Sequence, residues 1–268
     1  RRAVDLTTTI DRTLYGLNWN APLPKGGTFA TAAHLAPMGS IESLMAAPEV
    51  VDQPANNNLD ITWHDDRLFL AFRTAPNHFA SPEAAMVVVS TTDVVSWRFE
   101  GQIALGTDVR EPQLVSFAGE LSLWIAVLGS NPLEFEPQGA ERRRYLGPGE
   151  WTDPEPWPDP GFIPWRIKEL DGRLHLVGYT GGENIYDADG EPLHVHWLAS
   201  DDGETWAPAA GGDGIVLTGG TSETDFVRLD DGALIAVSRN EAGEAVDGFG
   251  SKICRAAADD LGPWTCRA

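Results

Sequence analysis

Lysine is almost missing from this chain: only Lys25, Lys168 and Lys252 occur in 268 residues, and 40 acidic against 19 basic side chains leave a net charge of −21. Such a surface repels polyanions, which excludes nucleic acid as a partner. The acidity itself reads as solubility or a salty habitat rather than as a specific cation site. No run of eighteen apolar residues occurs, so no membrane-spanning helix is expected. Arg1 opens no signal-peptide pattern, as in a chain that starts after a removed segment. Cysteine is limited to Cys254 and Cys266, which flank one hairpin (SKICRAAADDLGPWTCRA). They either pair across antiparallel strands, which favours an oxidising, extracellular setting, or remain two buried thiols. No histidine or second cysteine pair stands beside them at ligand spacing, and His194 and His196 alternate along LHVHW without a third ligand, so no metal site is expected. Helical periodicity is lacking throughout.

What the chain does have is punctuation: 28 glycines and 19 prolines, suited to many short strands and turns. Ser200 to Trp206, SDDGETW, reads as a tight hairpin turn in which Asp accepts backbone N–H groups, Gly takes positive φ and Trp packs beneath the loop. The mark recurs. Trp97, Trp151, Trp206 and Trp264 close comparable hairpins at spacings of 54, 55 and 58. A second landmark (HDDRLFLAF, FAGELSLWI, LDGRLHLVG, LDDGALIAV) aligns Arg67, Glu120, Arg173 and Ala233 at spacings of 53, 53 and 60. A period near fifty residues, with two apolar strands opening each unit and a hairpin closing it, predicts a single all-β domain over 1–268: a β-propeller of four-stranded antiparallel blades. The blades fall at about 54–106, 107–156, 157–212 and 213–268, with residues 1–52 as a degenerate blade or closing segment. The expected ring is five-bladed, with an incomplete six-bladed ring as the alternative.

The expected inner strands begin with NNLD, REPQ, PWRI and ETDF, and these starts carry Asp60, Arg110, Glu111, Trp165, Arg166, Glu223 and Asp225. Charge there, where a structural strand would carry Val, Ile or Thr, must pair or act. Converging carboxyls suit glycosidic bond cleavage, and arginines suit a substrate carboxylate. The alternative is a ring of Arg–Glu pairs fastening neighbouring blades. Arg73, just before the insertion TAPNHFASPEA, and His78 within it are further candidates for ligand contact. Arg142 to Arg144, beside Glu134, Glu136 and Glu141, read as a salt-bridged surface.

The SDDGETW turn resembles the Asp-box hairpin of sialidases, one residue shorter. SETDFVRLDDGALIAVSRN is similar to the sialidase segment N-E-x-x-x-V-x-L-x-D-G-x-L followed by R-N, and WRIKELDGRLHLVGY to its F-R-I-P strand. The likeness implies that Glu223 is the family's Glu and Arg166 a member of its arginine triad. The family's Tyr nucleophile has no counterpart beyond Glu223, the tyrosines being Tyr15, Tyr145, Tyr179 and Tyr186. REPQLVSFAGELSLWIA resembles, more loosely, the R-D-P strand of five-bladed arabinanase- and xylosidase-type glycosidases. That resemblance implies Asp60 as base, Glu111 as orienting acid and Glu223 as general acid.

Together these readings predict a hydrolase that needs no cofactor and acts on a terminal, possibly acidic, sugar, with Glu223, Asp60 and Glu111 catalytic and Arg110, Arg166, Trp165, Asp225, Arg73 and His78 binding. The competing readings are a non-catalytic carbohydrate- or protein-binding propeller, and a lyase or isomerase using His78 as base.

Overall fold

The computed structural model describes residues 50–181, 192–241 and 250–267. The remainder of the expected first unit, most of the third unit's insertion (TGGENIYDADGEP) and of the fourth's (EAGEAVDGFG) lie outside the described residues. Among the described residues, eighteen strands form four antiparallel sheets. The first holds β1 (Ala55–His64), β2 (Arg67–Ala75), β3 (Ala85–Thr91) and β4 (Arg98–Ile103). The second holds β5 (Asp108–Phe117), β6 (Glu120–Leu128), β7 (Pro137–Gly147) and the short β8 (Glu150–Trp151) and β9 (Glu155–Pro156). The third holds β10 (Ile163–Leu170), β11 (Arg173–Thr180), β12 (Leu193–Ser200), β13 (Ala207–Pro208) and β14 (Ile215–Gly219), the last pairing with β12. The fourth holds β15 (Thr221–Arg228), β16 (Leu234–Asn240), β17 (Gly250–Ala257) and β18 (Asp260–Arg267). The fold is an all-β propeller, and four blades are described.

Local chemistry sets the hairpins. The first two strands of three blades are joined by two residues that both take positive φ: Asp65–Asp66, Ala118–Gly119 and Asp171–Gly172. That turn matches the right-handed twist of its strands, which fixes the register that follows. In the outer hairpins, Asp93 accepts the N–H groups of Val95 (2.9 Å) and Ser96 (2.7 Å), and Asp202 accepts those of Glu204 (2.8 Å) and Thr205 (2.7 Å). Those donors hold both carboxyls at a pKa of about 2. The closing tryptophans reach back to the preceding blade. The Trp151 indole donates to the Glu100 carbonyl at 2.7 Å and lies over Gly101, and Trp206 meets Trp124 and Trp157 edge-on. Cys254 and Cys266 sit opposite each other on β17 and β18 and are joined by a disulfide.

Each seam between blades is a slab of core. Phe69, Ala71, Met86 and Val88 pack on Val109, Leu114, Leu121 and Ile125, and Val177 and Trp197 pack on Phe226, Ala236 and Cys254. The sequence over the remaining faces is equally apolar, but no described sheet covers it. At the β2, β6 and β11 positions matching Val237, the residues Ala71, Trp124 and Val177 are buried, whereas Val237 is 49% exposed and its β17 neighbour Ile253 61%. On the opposite flank Ile61 is 61% exposed, although Leu114 and Phe226 at the same position are buried.

The expected charged surface on β7 also differs in its partners. Arg142 and Arg144 pair with Glu155 and Glu204, and Arg143 with Glu141, while Glu134 and Glu136 form no ion pair with these arginines among the described residues. Arg142 is buried rather than solvated, because its guanidinium lies over the Trp124 ring and donates to the Gly203 carbonyl at 2.6 Å.

Candidate active site

The four inner strands share one irregularity. Their pairing shifts by one residue between Asn57 and Leu59 in β1, Arg110 and Gln113 in β5, Pro164 and Arg166 in β10, and Thr221 and Thr224 in β15. Every described inner strand is therefore bulged at the same level, and bulges of this kind turn side chains that a regular pleat would not. Two of the bulged residues carry a positive φ, Asn58 (47°) and Glu111 (49°). Asn tolerates that region, but Glu does so at a cost of about 1–2 kcal/mol.

Below the bulges lies a ring of equivalent positions, Asp60, Gln113, Arg166 and Asp225, read from their partners Ala71, Trp124, Val177 and Val237. This ring fastens blade to blade. Asp60 Oδ2 accepts the Leu114 N–H at 2.7 Å, and Gln113 Oε1 accepts the Ile167 N–H at 3.3 Å. Arg166 reaches Asp60 (3.3 Å) on one side and Asp225 (3.6 Å) on the other, while Lys168 pairs with Asp225 and donates to the Phe226 carbonyl at 2.7 Å. Burial raises the Asp60 pKa, against the lowering effect of the Leu114 N–H and Arg166.

The bulge level above is different. Glu111 accepts Asn58 Nδ2 at 2.7 Å and has no cationic partner within ion-pair distance among the described residues. Burial first, and then the neighbouring Glu223 carboxylate, push its pKa up to about 7, against the Asn58 hydrogen bond. Glu223 is also raised by burial, but Arg239 Nη1 donates to it at 2.8 Å and opposes the rise. Arg239 bridges onward to Glu241 at 3.0 Å, and Glu241 accepts the Ser222 hydroxyl at 2.7 Å. The Tyr179 side chain is buried near the same carboxylates; desolvation and the charges of Glu111, Glu223 and Glu241 drive its pKa well above the usual phenol value, so it stays protonated. Trp165 occupies the bulge of β10.

Glu111, Trp165 and Glu223 thus share the bulge level, while Asp60, Arg166 and Asp225 lie in the fastening ring beneath it. Arg73 is fully buried on Asp108, at 2.9 Å through Nε and 2.7 Å through Nη2; Arg110 holds the other oxygen of Asp108 at 2.5 Å. His78 is exposed beside Asn57. Asn58, Tyr179, Ser222, Arg239 and Glu241 were not singled out from sequence. One signal was available, since Arg73, Tyr179 and Arg239 all stand six residues past the Arg67, Arg173 and Ala233 landmark. Among the described residues no group of three or more His, Cys, Asp or Glu is arranged to hold a metal ion, and no helix is long and apolar enough to cross a membrane.

No family model matches the chain, and neither does any curated protein. Solved structures do resemble it. The sialidase of Trypanosoma rangeli in complex with sialic acid superposes with a TM-score of 0.56 at 15% identity, over 79% of this chain and 37% of that one. A family 117 glycoside hydrolase of the marine bacterium Zobellia galactanivorans gives 0.55 at 12% identity, over 80% and 69%. The α-L-arabinanase of Penicillium chrysogenum gives 0.52 at 16% identity, over 78% and 64%. The structural neighbours of this chain are therefore sialidases and β-propeller glycoside hydrolases of the arabinanase type, a likeness of fold.

Proposed function

We propose that this chain is a glycoside hydrolase that cleaves a terminal sugar at the bulge level of its inner strands. Glu111 gives its proton to the leaving oxygen, and Glu223 serves at the anomeric carbon as base or nucleophile. The observation that carries the reading is the contrast within that pair: two interacting carboxyls, one held by an amide and pushed up to about 7, the other held by an arginine. Divergent environments are how two carboxyls divide acid and base roles. Asp60 and Asp225 are each paired with a cation of another blade, and Asp60 also holds the Leu114 N–H, so the fastening role suits those two better than catalysis.

Charge balance bears on the substrate. With Glu111 protonated, Asp60, Asp108, Glu223, Asp225 and Glu241 face Arg73, Arg110, Arg166, Lys168 and Arg239. Each arginine expected to grip a substrate carboxylate already carries one from the protein, which favours a neutral terminal sugar over an acidic one. We further propose a five-bladed ring. A blade wedged between the Ile61 and Val237 faces buries both, and residues 1–49 offer chain of blade length beside landmarks 53 to 60 residues apart.

The test is hydrolysis of a panel of chromogenic sialoside, uronide, arabinoside and xyloside substrates by the wild type, Glu111→Gln and Glu223→Gln, with folding checked by circular dichroism. Turnover of one member that falls at least about a hundredfold in both folded variants supports the assignment. No turnover on any member, with a sugar still bound on a glycan array, moves the protein to the non-catalytic binding class.

A further inference from the structure

The loop between β2 and β3 is held from beneath in an unusual way. Arg73 Nη1 donates to the Asn77 carbonyl at 3.2 Å and Nη2 to the Phe79 carbonyl at 2.9 Å, while Arg110 Nη2 donates to the His78 carbonyl at 2.7 Å. Asn77 Oδ1 accepts the Phe79 N–H at 2.9 Å. Three consecutive carbonyls are thus turned inward onto two arginines, themselves anchored on the buried Asp108. The backbone of the loop is anchored, and the side chains of His78 and Phe79 stay exposed, Phe79 at 56%.

The hydrogen bonds also assign the tautomer of His78. Arg73 Nη1 reaches Asn57 Oδ1 at 3.3 Å, and a guanidinium only donates, so that atom is the amide oxygen. The amide nitrogen then faces His78 Nδ1 at 3.0 Å, and because it too only donates, Nδ1 accepts. The neutral imidazole carries its proton on Nε2, which has no partner among the described residues. Position adds to this. Asn57 adjoins Asn58, which bonds Glu111, and Arg110 adjoins Glu111 itself. An acid that protonates the leaving oxygen has the departing group on its own side, and this loop is tied to that acid's neighbours.

We propose that Phe79 and His78 form the subsite for the leaving-group sugar, its apolar C–H face lying on the Phe79 ring and one hydroxyl accepting from His78 Nε2–H. A rigid exposed aromatic beside a fixed donor suits a sugar, which presents both kinds of surface at once. The inference rests on the glycosidase reading for its substrate. It is tested with arabinobiose, xylobiose and galactobiose against the matching glycosyl fluorides, whose leaving group is too small to reach the loop, fluoride being read by electrode. In Phe79→Ala the ratio of kcat/KM for disaccharide to kcat/KM for fluoride falls about tenfold, and Phe79→Trp restores it. An unchanged ratio overturns the proposal. Should the wild type cleave neither substrate, the glycosidase reading fails separately, and saturation-transfer NMR with the same disaccharides decides the subsite. Transfer to sugar ring protons that is lost in Phe79→Ala supports it; no transfer to the wild type, or transfer that survives the substitution, overturns it.

Discussion

Glu111→Gln separates what the carboxyl does for chemistry from what it costs the fold. Its pKa lies at about 7 against an ordinary 4.5. At 1.36 kcal/mol per pH unit, that gap is a folding penalty of about 3 kcal/mol for the ionised form. The folded value is the higher one, so the native chain holds its proton between about pH 4.5 and 7 while the unfolded chain has lost it. Stability attributable to this group is therefore complete below pH 4.5 and falls as the pH rises to 7. Gln keeps an oxygen for Asn58 Nδ2 and never ionises. Relative to wild type, Glu111→Gln should then gain about 3 kcal/mol between pH 4.5 and pH 8, roughly 6–12 °C in Tm for a domain of this size. Thermal unfolding of both proteins across that range measures it. A difference in Tm that does not change with pH would refute the assignment of Glu111 as a buried, proton-holding group, whatever the variant's activity.

Glu223→Gln removes the neighbouring negative charge, so ionisation of Glu111 should begin at a lower pH and the alkaline limb of any activity should move to lower pH with it; titration of Glu111 by NMR or infrared difference spectroscopy checks the direction. Gly178→Ala should cost at least about 2 kcal/mol in denaturant unfolding, because the added Cβ would stand 2.3 Å from the Phe162 ring and 2.5 Å from the Ile163 carbonyl. Ile253→Lys should destabilise by about 1.5–3 kcal/mol if a fifth blade covers that face, and an unchanged unfolding midpoint would put the face in water. Paired Cys254→Ser and Cys266→Ser substitutions, which open a link between residues 12 apart, should lower stability by about 3 kcal/mol under oxidising conditions and leave the reduced protein unaffected.

The blades were legible because their marks are local. An Asp that caps its own turn and a Trp that follows it need nothing from the rest of the chain, so Asp93–Trp97 and Asp202–Trp206 announce themselves in sequence. The charged strand starts were legible too, and Glu111 and Glu223 were among them. Their division from Asp60 and Asp225 was not, because it depends on one extra residue per strand. Two steps along a strand normally keep a side chain on the same face, and only the bulge gives Glu111 and Gln113, or Glu223 and Asp225, separate tasks. Arg73 looked like a ligand contact because an arginine at the edge of a loop insertion ordinarily meets solvent; its complete burial follows from Asp108, 35 residues away.

The repeated bulge has a consequence for how such a scaffold can change. Below it, Asp60, Gln113 and Lys168 each hold the backbone of the next blade's inner strand, so the position of that strand is set through its main chain. At the bulge, Asn58 and Glu111, and Glu223 and Arg239, meet through their side chains. A lineage can therefore rewrite the upper tier by single substitutions, trading one chemistry for another or for none, while the alignment of the blades is inherited untouched from the tier beneath.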